Sequence, residues 1–442
     1  MVRGWTYNFT YNEKKIFFFF SSFIFNQGIS QIVYELPEPD NIKTVKFFGS
    51  KITDNFPVVK LGEKITLVFD DLNGNENDYY YKIEHFNHDW TTSNLLKNEY
   101  LNGYDNVRID NLINSFNTLQ SYTHYRLEIP NKNISLIISG NYLIKVFDSY
   151  DELIFSRRFC VYEELASVRS SVNRPQNMDR FNTHQSIHFS ITPLKGTFRN
   201  PEKNLFVNLI QNRQWYNQIQ GLKPQYLSGS TLQYFYESPS QFEGGNEFYF
   251  FDSKDLRIST PNISYTNKSE LYEIYLNIDI PRIYKNYSYS QDINGGFEIR
   301  NTMRPSNPDN EADYSYVYFS LASDRKISDG EIYVYGGFNN YKISDLNRMY
   351  FNPSLGIYEG ILLLKQGFYN YKYVIREKEK IKQNGISGSH ALTENVYLVL
   401  AYYRNVGAQY DSLIGVGECN SFNLQNWYFL IEFLLPLVLF LW

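Results

Sequence analysis

Apolar and polar positions alternate with period two over short runs, and clusters of Gly, Asn, Asp and Pro separate the runs. That pattern predicts β-strands joined by turns. It is densest from Tyr333 to Ile375, YVYGGFNNYKISDLNRMYFNPSLGIYEGILLLKQGFYNYKYVI, where three aromatic-rich strands alternate with Gly/Asn/Pro turns. The last of them carries Tyr369, Tyr371 and Tyr373 at alternate positions. Toward the N-terminus, strands are predicted at Lys43–Phe48, Lys64–Phe69, Tyr79–Phe86, Tyr122–Ile129 and Tyr142–Phe147, with Asn73-Gly74 as a tight turn between two of them. Tyr142 follows a Gly turn in the run Ser139–Asp148 and takes the place of the corner tyrosine of an immunoglobulin-like sandwich. The middle of the chain predicts Ser186–Ile191, Leu205–Gln211, Leu232–Glu237, Glu247–Phe251 and Leu271–Ile280, with Gly244-Gly245 and Gly295-Gly296 as hairpin turns. The last third predicts Tyr316–Leu321, Glu331–Tyr335, Tyr358–Leu364, Tyr369–Ile375, Asn395–Tyr403 and Leu413–Val416. Few segments show a helical period, and no repeat of fixed length is evident. The fold class is therefore all-β, with tandem immunoglobulin-like or early-set β-sandwich domains.

Length and composition sharpen this picture. A chain of 442 residues suits roughly three domains of about 130 residues. The breaks fall between an N-terminal sandwich, residues 32–164, a middle β-rich domain, 165–314, and a C-terminal early-set-like sandwich, 315–417. The 40 Tyr and 34 Phe against 4 Met and 5 Trp fit strands and sheet cores. A net charge of −5 with no basic stripe argues against nucleic acid as a partner. Lys14-Lys15 followed by the apolar run Ile16–Phe25 describes a secretory signal peptide within residues 1–31, with Met1–Glu13 suggesting a start site placed too early. Residues 418–442 form an atypical tail. Its segment Trp427–Trp442 is apolar but interrupted by Glu432 and Pro436, and reads as a reading-frame artefact or, failing that, a membrane-seeking end.

The search for chemistry returns little. Cys160 and Cys419 stand far apart without flanking ligands, so each reads as a free thiol rather than half of a disulfide or a metal site. His85 and His88 form the densest histidine cluster, but i and i+3 on a strand face opposite ways. His184 and His188 lack the glutamate of the helical zinc pattern and sit in a strand-like run. No nucleophile elbow and no phosphate loop is present, and carboxylate pairs that meet only in space are invisible to sequence. The expectation is a protein without catalytic residues, metal or cofactor and without a small-molecule substrate. Phe338, Tyr341, Tyr369 and Tyr371 remain as a conceivable sugar-stacking platform, set against the commoner use of alternating aromatics as core and cross-strand pairs.

Taken in order, YYYKIEHFNHDW (Tyr79–Trp90), SFNTLQSYTHYRLEIP (Ser115–Pro130), SGNYLIKVF (Ser139–Phe147), Gln211–Trp215, GGNEFYFFDSKDLR (Gly244–Arg257), DINGGFEIR (Asp292–Arg300), EADYSYVYFSL (Glu311–Leu321), KQGFYNYKY (Lys365–Tyr373) and Gly388–Gly415 carry a resemblance. The chain resembles the Plug protein family of the Bacteroidota type IX secretion system, long carried as a domain of unknown function, over about Tyr34 to Gly417. It departs from the pattern at both ends and has Phe86 where relatives often carry Cys. Tyr341 stands where related sandwich modules often carry Trp, which weakens the sugar-binding reading.

The resemblance implies a non-enzymatic periplasmic protein that binds the periplasmic end of the large outer-membrane β-barrel translocon and plugs its pore when idle. It would be peripheral to the outer membrane. The partner-binding residues are unknown; the polar insertion between Trp90 and Tyr122 is the expected contact element, because long ordered loops on a sandwich edge commonly bind. The alternatives are a secreted carbohydrate-binding sandwich protein and, more remotely, a β-sandwich hydrolase.

Overall fold

The computed structural model describes residues 34–422 and 424, apart from 51–54, 259, 304–306, 324–325 and 329. The signal-peptide expectation and the apolar run Trp427–Trp442 lie outside the described residues. Within them the strands assemble into three sandwiches. The first packs the sheet of Ile42–Phe48, Ile65–Asp71, Thr123–Ile129 and Leu112–Asn114 against Val58–Lys60, Leu153–Tyr162, Gly140–Phe147, Tyr80–Phe86 and Val107–Arg108. Its core holds Phe69, Tyr125, Tyr142 and Phe159, with Phe69 stacked on Tyr125 at 4.9 Å and Tyr142 on Phe159 at 5.2 Å. Tyr142 donates its hydroxyl to the carbonyl of Ile138 at 2.8 Å, the corner bond predicted for it. Tyr369 makes the same bond to the carbonyl of Lys365, 2.6 Å, in the third sandwich.

The connectivity departs from a simple tandem. Val396–Tyr403, expected within the C-terminal domain 315–417, pairs with Leu205–Gln211 of the middle domain along its length, from Leu205 opposite Tyr403 to Gln211 opposite Tyr397. Ser412–Asn420 pairs on its far side. These strands, with Gln218–Gln220, face a second sheet built on Ala166–Asn173, His184–Pro193, Thr231–Tyr234 and Tyr226–Ser228. The chain thus leaves the middle sandwich after Glu243 and re-enters it at Val396. Between those points lies a complete third sandwich, with Gly367–Glu377 central in one sheet and Tyr314–Ala322 in the other. Asn73-Gly74 is a turn, with Gly74 at φ +67°, but its flanking strands belong to opposite sheets and do not pair. Gly244 is a crossing point rather than a hairpin turn: a Cβ there would lie 2.0 Å from the carbonyl oxygen of His390 on the returning segment.

Three buried joints tie the sandwiches together. Between the first and third, Asp70 and Lys365 meet at 2.7 Å with side chains at most 1% exposed. Asp70 also accepts from His124 at 2.6 Å and Tyr314 at 2.7 Å, while Lys365 reaches the carbonyl of Asp309 and lies 4.1 Å from the ring of Tyr122. Burial alone would raise the Asp70 carboxyl; the charges of Lys365 and His124 outweigh it and hold it below the usual range. Between the first and middle sandwiches, Phe56, Phe86, Trp90, Leu143 and Cys160 pack on Ile210, Trp215, Leu398, Tyr402 and Leu413. Beside this core, fully buried Asp411 binds His88 at 2.7 Å and Arg404 at 2.7 Å. At the third joint the two crossing segments lie side by side, and Asn395 donates to the carbonyl of Gly244 at 2.8 Å and to Gln185 at 3.1 Å.

Glu247, 1% exposed, sits in that third joint. Its carboxylate accepts from the Tyr287 hydroxyl at 2.5 Å and the Glu394 amide at 3.2 Å. Burial first, then the nearby Asp292 and Glu394 charges, push its carboxyl well above the usual range.

Two outcomes follow from these joints. Lys365→Met leaves Asp70 buried without its cation and is expected to cost about 3–5 kcal/mol in urea unfolding at neutral pH, with Asp70→Asn/Lys365→Met recovering most of the loss. A loss under about 1 kcal/mol would show that the pair is not a joint. For Glu247 the folded state holds the proton more tightly than the unfolded state, so its contribution is fully present below the ordinary carboxyl pKa. It is lost as pH rises through the elevated folded value. Glu247→Gln should therefore flatten the alkaline fall of stability, gaining about 1–3 kcal/mol over wild type between pH 5 and 9. Parallel pH profiles for the two proteins would refute the assignment.

Candidate partner-docking face

The sugar-stacking platform does not form. Tyr369 and Tyr371 are each 1% exposed and point into the core of the third sandwich. Period two put them on one face as predicted, but that face is the inner one. Phe338 packs edge-on to Tyr369 at 5.8 Å, and Tyr341 packs on Tyr335 and donates to the carbonyl of Asn294 at 3.1 Å. Tyr371 and Tyr373 both donate to Asp279 at 2.7 Å, so their hydroxyls are committed inside the protein.

The open aromatic face lies on the other sheet of the same sandwich. Tyr265, Tyr275 and Tyr318 are register partners on three neighbouring strands, Ile263–Lys268, Tyr272–Leu276 and Tyr314–Ala322, and Ile361 continues the row on the fourth. The alternating partners Ile274, Val317 and Phe319 are buried, which fixes the tyrosines on the solvent side. The rings stack at 4.3 Å (Tyr265 on Tyr275) and 4.2 Å (Tyr275 on Tyr318), each pair 11° from parallel. Tyr265 is 53% exposed and Ile361 51%. Tyr316, Leu363 and Tyr350 border the row. Because Tyr275 is covered on both faces by its neighbours, the row offers mainly ring edges and hydroxyls rather than a series of open faces. A sugar ring stacks on an open aromatic face, so this geometry is wrong for one. It suits a protein surface, against which rigid, amphipathic tyrosines lose little conformational entropy. The alternation in Leu271–Ile280 and Tyr316–Leu321 was the legible signal for this row; the pairing of those two strands, which builds the ladder, was not.

The segment between Trp90 and Tyr122 is ordered by short elements, a single helical turn at Lys97–Tyr100 and strands Leu101–Gly103, Val107–Arg108 and Leu112–Asn114. Its far end reaches the third sandwich: the amide of Phe116 donates to the carbonyl of Asn310 at 2.8 Å, and that of Leu119 to the Asp313 carboxylate at 2.8 Å. Leu96, Tyr104, Phe116 and Leu119 are exposed along it. Part of this insertion is therefore a brace between sandwiches, and part is open surface.

The histidines are placed by packing. His85 turns into the first sandwich, where its ring meets Ser93 at 2.9 Å and Tyr142, and burial lowers it to about 4. His88 turns the other way, stacked on Phe206 at 3.9 Å and bound to Asp411. His184 and His188 share a strand face about 13 Å apart at the usual rise. Among the described residues no group of three or more His, Cys, Asp or Glu side chains is arranged to hold a metal ion. Cys160 and Cys419 are free, and burial pushes their thiols up to about 12 and about 11.

Comparison with known proteins completes the description. Residues 42–163, the first sandwich, match the family model of the type 9 secretion system plug protein, first domain. The solved structure of a hypothetical protein from Parabacteroides merdae ATCC 43184 is similar over 88% of this chain and 99% of its own, at 31% identity and a TM-score of 0.83. A biofilm-associated protein BSP domain aligns over 89% of this chain and 61% of its own, but at 8% identity and a TM-score of 0.18 the likeness carries no argument. No curated protein matches the chain. The plug family is a secretion-system component rather than an enzyme family. With the first sandwich matched to the family's first domain and a relative of known structure aligned along 88% of the chain, the chain belongs to the plug protein family of the type IX secretion system.

Proposed function

We propose that this protein is a non-enzymatic periplasmic component that binds the periplasmic end of the large outer-membrane β-barrel translocon and closes its pore when the translocon is idle. The observation that carries the reading is the match of residues 42–163 to the plug domain. The signal-peptide pattern at Lys14-Lys15 and Ile16–Phe25 supports delivery to the periplasm. The joints support the mechanical part. A stopper must resist deformation at the pore, and here three sandwiches are fixed to one another by buried ion pairs and a shared aromatic core. No cofactor or small-molecule substrate enters this role.

For the contact with the barrel the tyrosine row is favoured over the 91–121 segment. Its side chains stand on four paired strands, so they are pre-ordered before binding. The 91–121 segment spends part of its surface bracing the third sandwich.

The test measures binding of the full chain to the detergent-solubilised translocon barrel. Tyr265→Ser/Ile361→Ser should weaken binding about tenfold or more, a change of about 1.4 kcal/mol or more, with an unchanged melting temperature. Phe116→Ser/Leu119→Ser should change it less than about threefold. The reverse ranking would move the contact to the 91–121 segment. No binding by the wild-type chain, together with no reduction of the ionic current of barrels held in a planar bilayer, would defeat the plug reading itself.

A further inference from the structure

Where the third sandwich leaves the middle one, a cleft of about 890 Å3 opens between them. Gln218, Ile219 and Gln241 line it from the middle sandwich; Ile381, Gln383 and Asn384 line it from the third. Its volume lies at the upper end of the range for ligand sites.

Two of its walls are strand edges. Gln218–Gln220 is the terminal strand of the sheet that continues through Leu205–Gln211, and among the described residues Lys380–Lys382 pairs only with Gly367–Glu377. The direction of their backbone groups follows from the ladders. Gln211 donates its amide to the carbonyl of Asn217 at 3.1 Å, so the next hydrogen-bonded pair is Leu209 with Ile219. Gln218 and Gln220 therefore turn their N–H and C=O groups away from the sheet. On the other wall a two-residue turn at Lys378–Glu379 closes on Glu377 and Lys380, so Ile375 with Lys382 is the next bonded pair and Ile381 turns its backbone groups outward. Among the described residues no strand pairs with either outer edge. Unpaired edges of this kind are templates for another strand.

The side chains set the occupant's chemistry. Six amide side chains make up half of the polar lining, and an amide carries both a donor and an acceptor; Gln211 and Asn217 are committed to each other, and Gln218 and Gln383 stand nearest the edges. Lys382 is paired with Glu377 at 2.7 Å, and the remaining lining charges, Arg180 and Glu243, are opposite in sign, hydrogen-bonded to Gln241 at 2.9 Å and to Asn384 at 2.6 Å. The cleft therefore calls for no net charge. Ile219, Ile283 and Ile381 supply apolar contact beside the edges.

We propose that this cleft binds an extended, uncharged polypeptide segment, taken up as an added strand on Gln218–Gln220 with the Lys380–Lys382 edge as the facing wall. A segment of about six residues, about 20 Å long when extended, covers either three-residue edge with room to spare. This site is separate from the tyrosine row and holds whether or not that row meets the barrel.

The experiment selects a random decapeptide library, displayed on phage, against the full chain, and measures the best synthetic peptide by fluorescence anisotropy. Gln220→Pro removes one outward N–H and no ladder bond, the placement at which an edge strand tolerates proline. Enrichment of alternating, Gly/Pro-poor, uncharged sequences is expected. Their affinity should fall at least tenfold with Gln220→Pro and with alternate backbone N-methylation of the peptide. Ile381→Ser on the facing wall should weaken binding about threefold or more and guards against a fold defect confined to Gln220→Pro. No enrichment overturns the proposal, as does enrichment of charged sequences or binding indifferent to both Gln220→Pro and N-methylation.

Discussion

Burying Asp70 with Lys365 is the constraint on which the arrangement of the sandwiches depends. Taking both charges out of water costs several kcal/mol per ion, and only near-complete satisfaction offsets it. Here the carboxylate collects the ammonium of Lys365, the ring of His124 and the hydroxyl of Tyr314, and the ammonium collects a carbonyl and an aromatic face. Asp70 and His124 belong to the first sandwich, Lys365 and Tyr314 to the third. A purely apolar contact between two sheets tolerates sliding; this one does not, because a displacement of an ångström or two would strand a charge in a dry place. Asp411 repeats the device at the other joint, taking His88 from the first sandwich and Arg404 from the middle one.

The same logic explains the abundance of tyrosine better than a ligand surface does. Tyr122 spans a joint to the carbonyl of Ala312, Tyr314 reaches Asp70, and Tyr402 reaches Asn141 across the first and middle sandwiches. Tyr397 binds Gln185 inside the middle sandwich. Each ring contributes apolar area to a core while its hydroxyl closes a polar contact that phenylalanine would leave open. A protein assembled from several sandwiches has long internal seams, and tyrosine serves both sides of a seam.

What the sequence made legible was local. Strands such as Leu205–Gln211 and Glu331–Tyr335 match the predicted bounds, and Tyr142 forms its corner bond, because period-two alternation and a preceding Gly turn are properties of adjacent residues. What it concealed was pairing over long separations. Nothing near Val396–Tyr403 marks Leu205–Gln211 as its neighbour rather than Tyr316–Leu321, since all three are apolar runs that contain aromatic residues. The misreading of Tyr369 and Tyr371 has the same origin: alternation assigns residues to a face without saying which face is covered. Leu153–Tyr162, buried on both faces from Phe155 to Val161, is absent from the predicted strands, since a strand covered on both sides loses its alternation. The tyrosine row and the edge-lined cleft were hidden for the same reason, as each is assembled by strands brought together from distant parts of the chain.

Insertion turns these local joints into a global property. A third sandwich attached to the middle one only by two crossing segments would swing about them, since links of a few residues are the usual hinges. Here it also docks on the first sandwich through Asp70 and Lys365, and the first docks on the middle one through Trp90, Trp215 and Asp411. Contacts between first and middle, middle and third, and third and first close a ring of three bodies. Rotation about any one link in a closed ring must break another link, so opening requires the loss of a buried ion pair or of the aromatic core rather than a few torsions. The rigidity thus arises from topology together with two buried aspartates, and it leaves the tyrosine row and the cleft edges as surfaces whose geometry is set before any partner arrives.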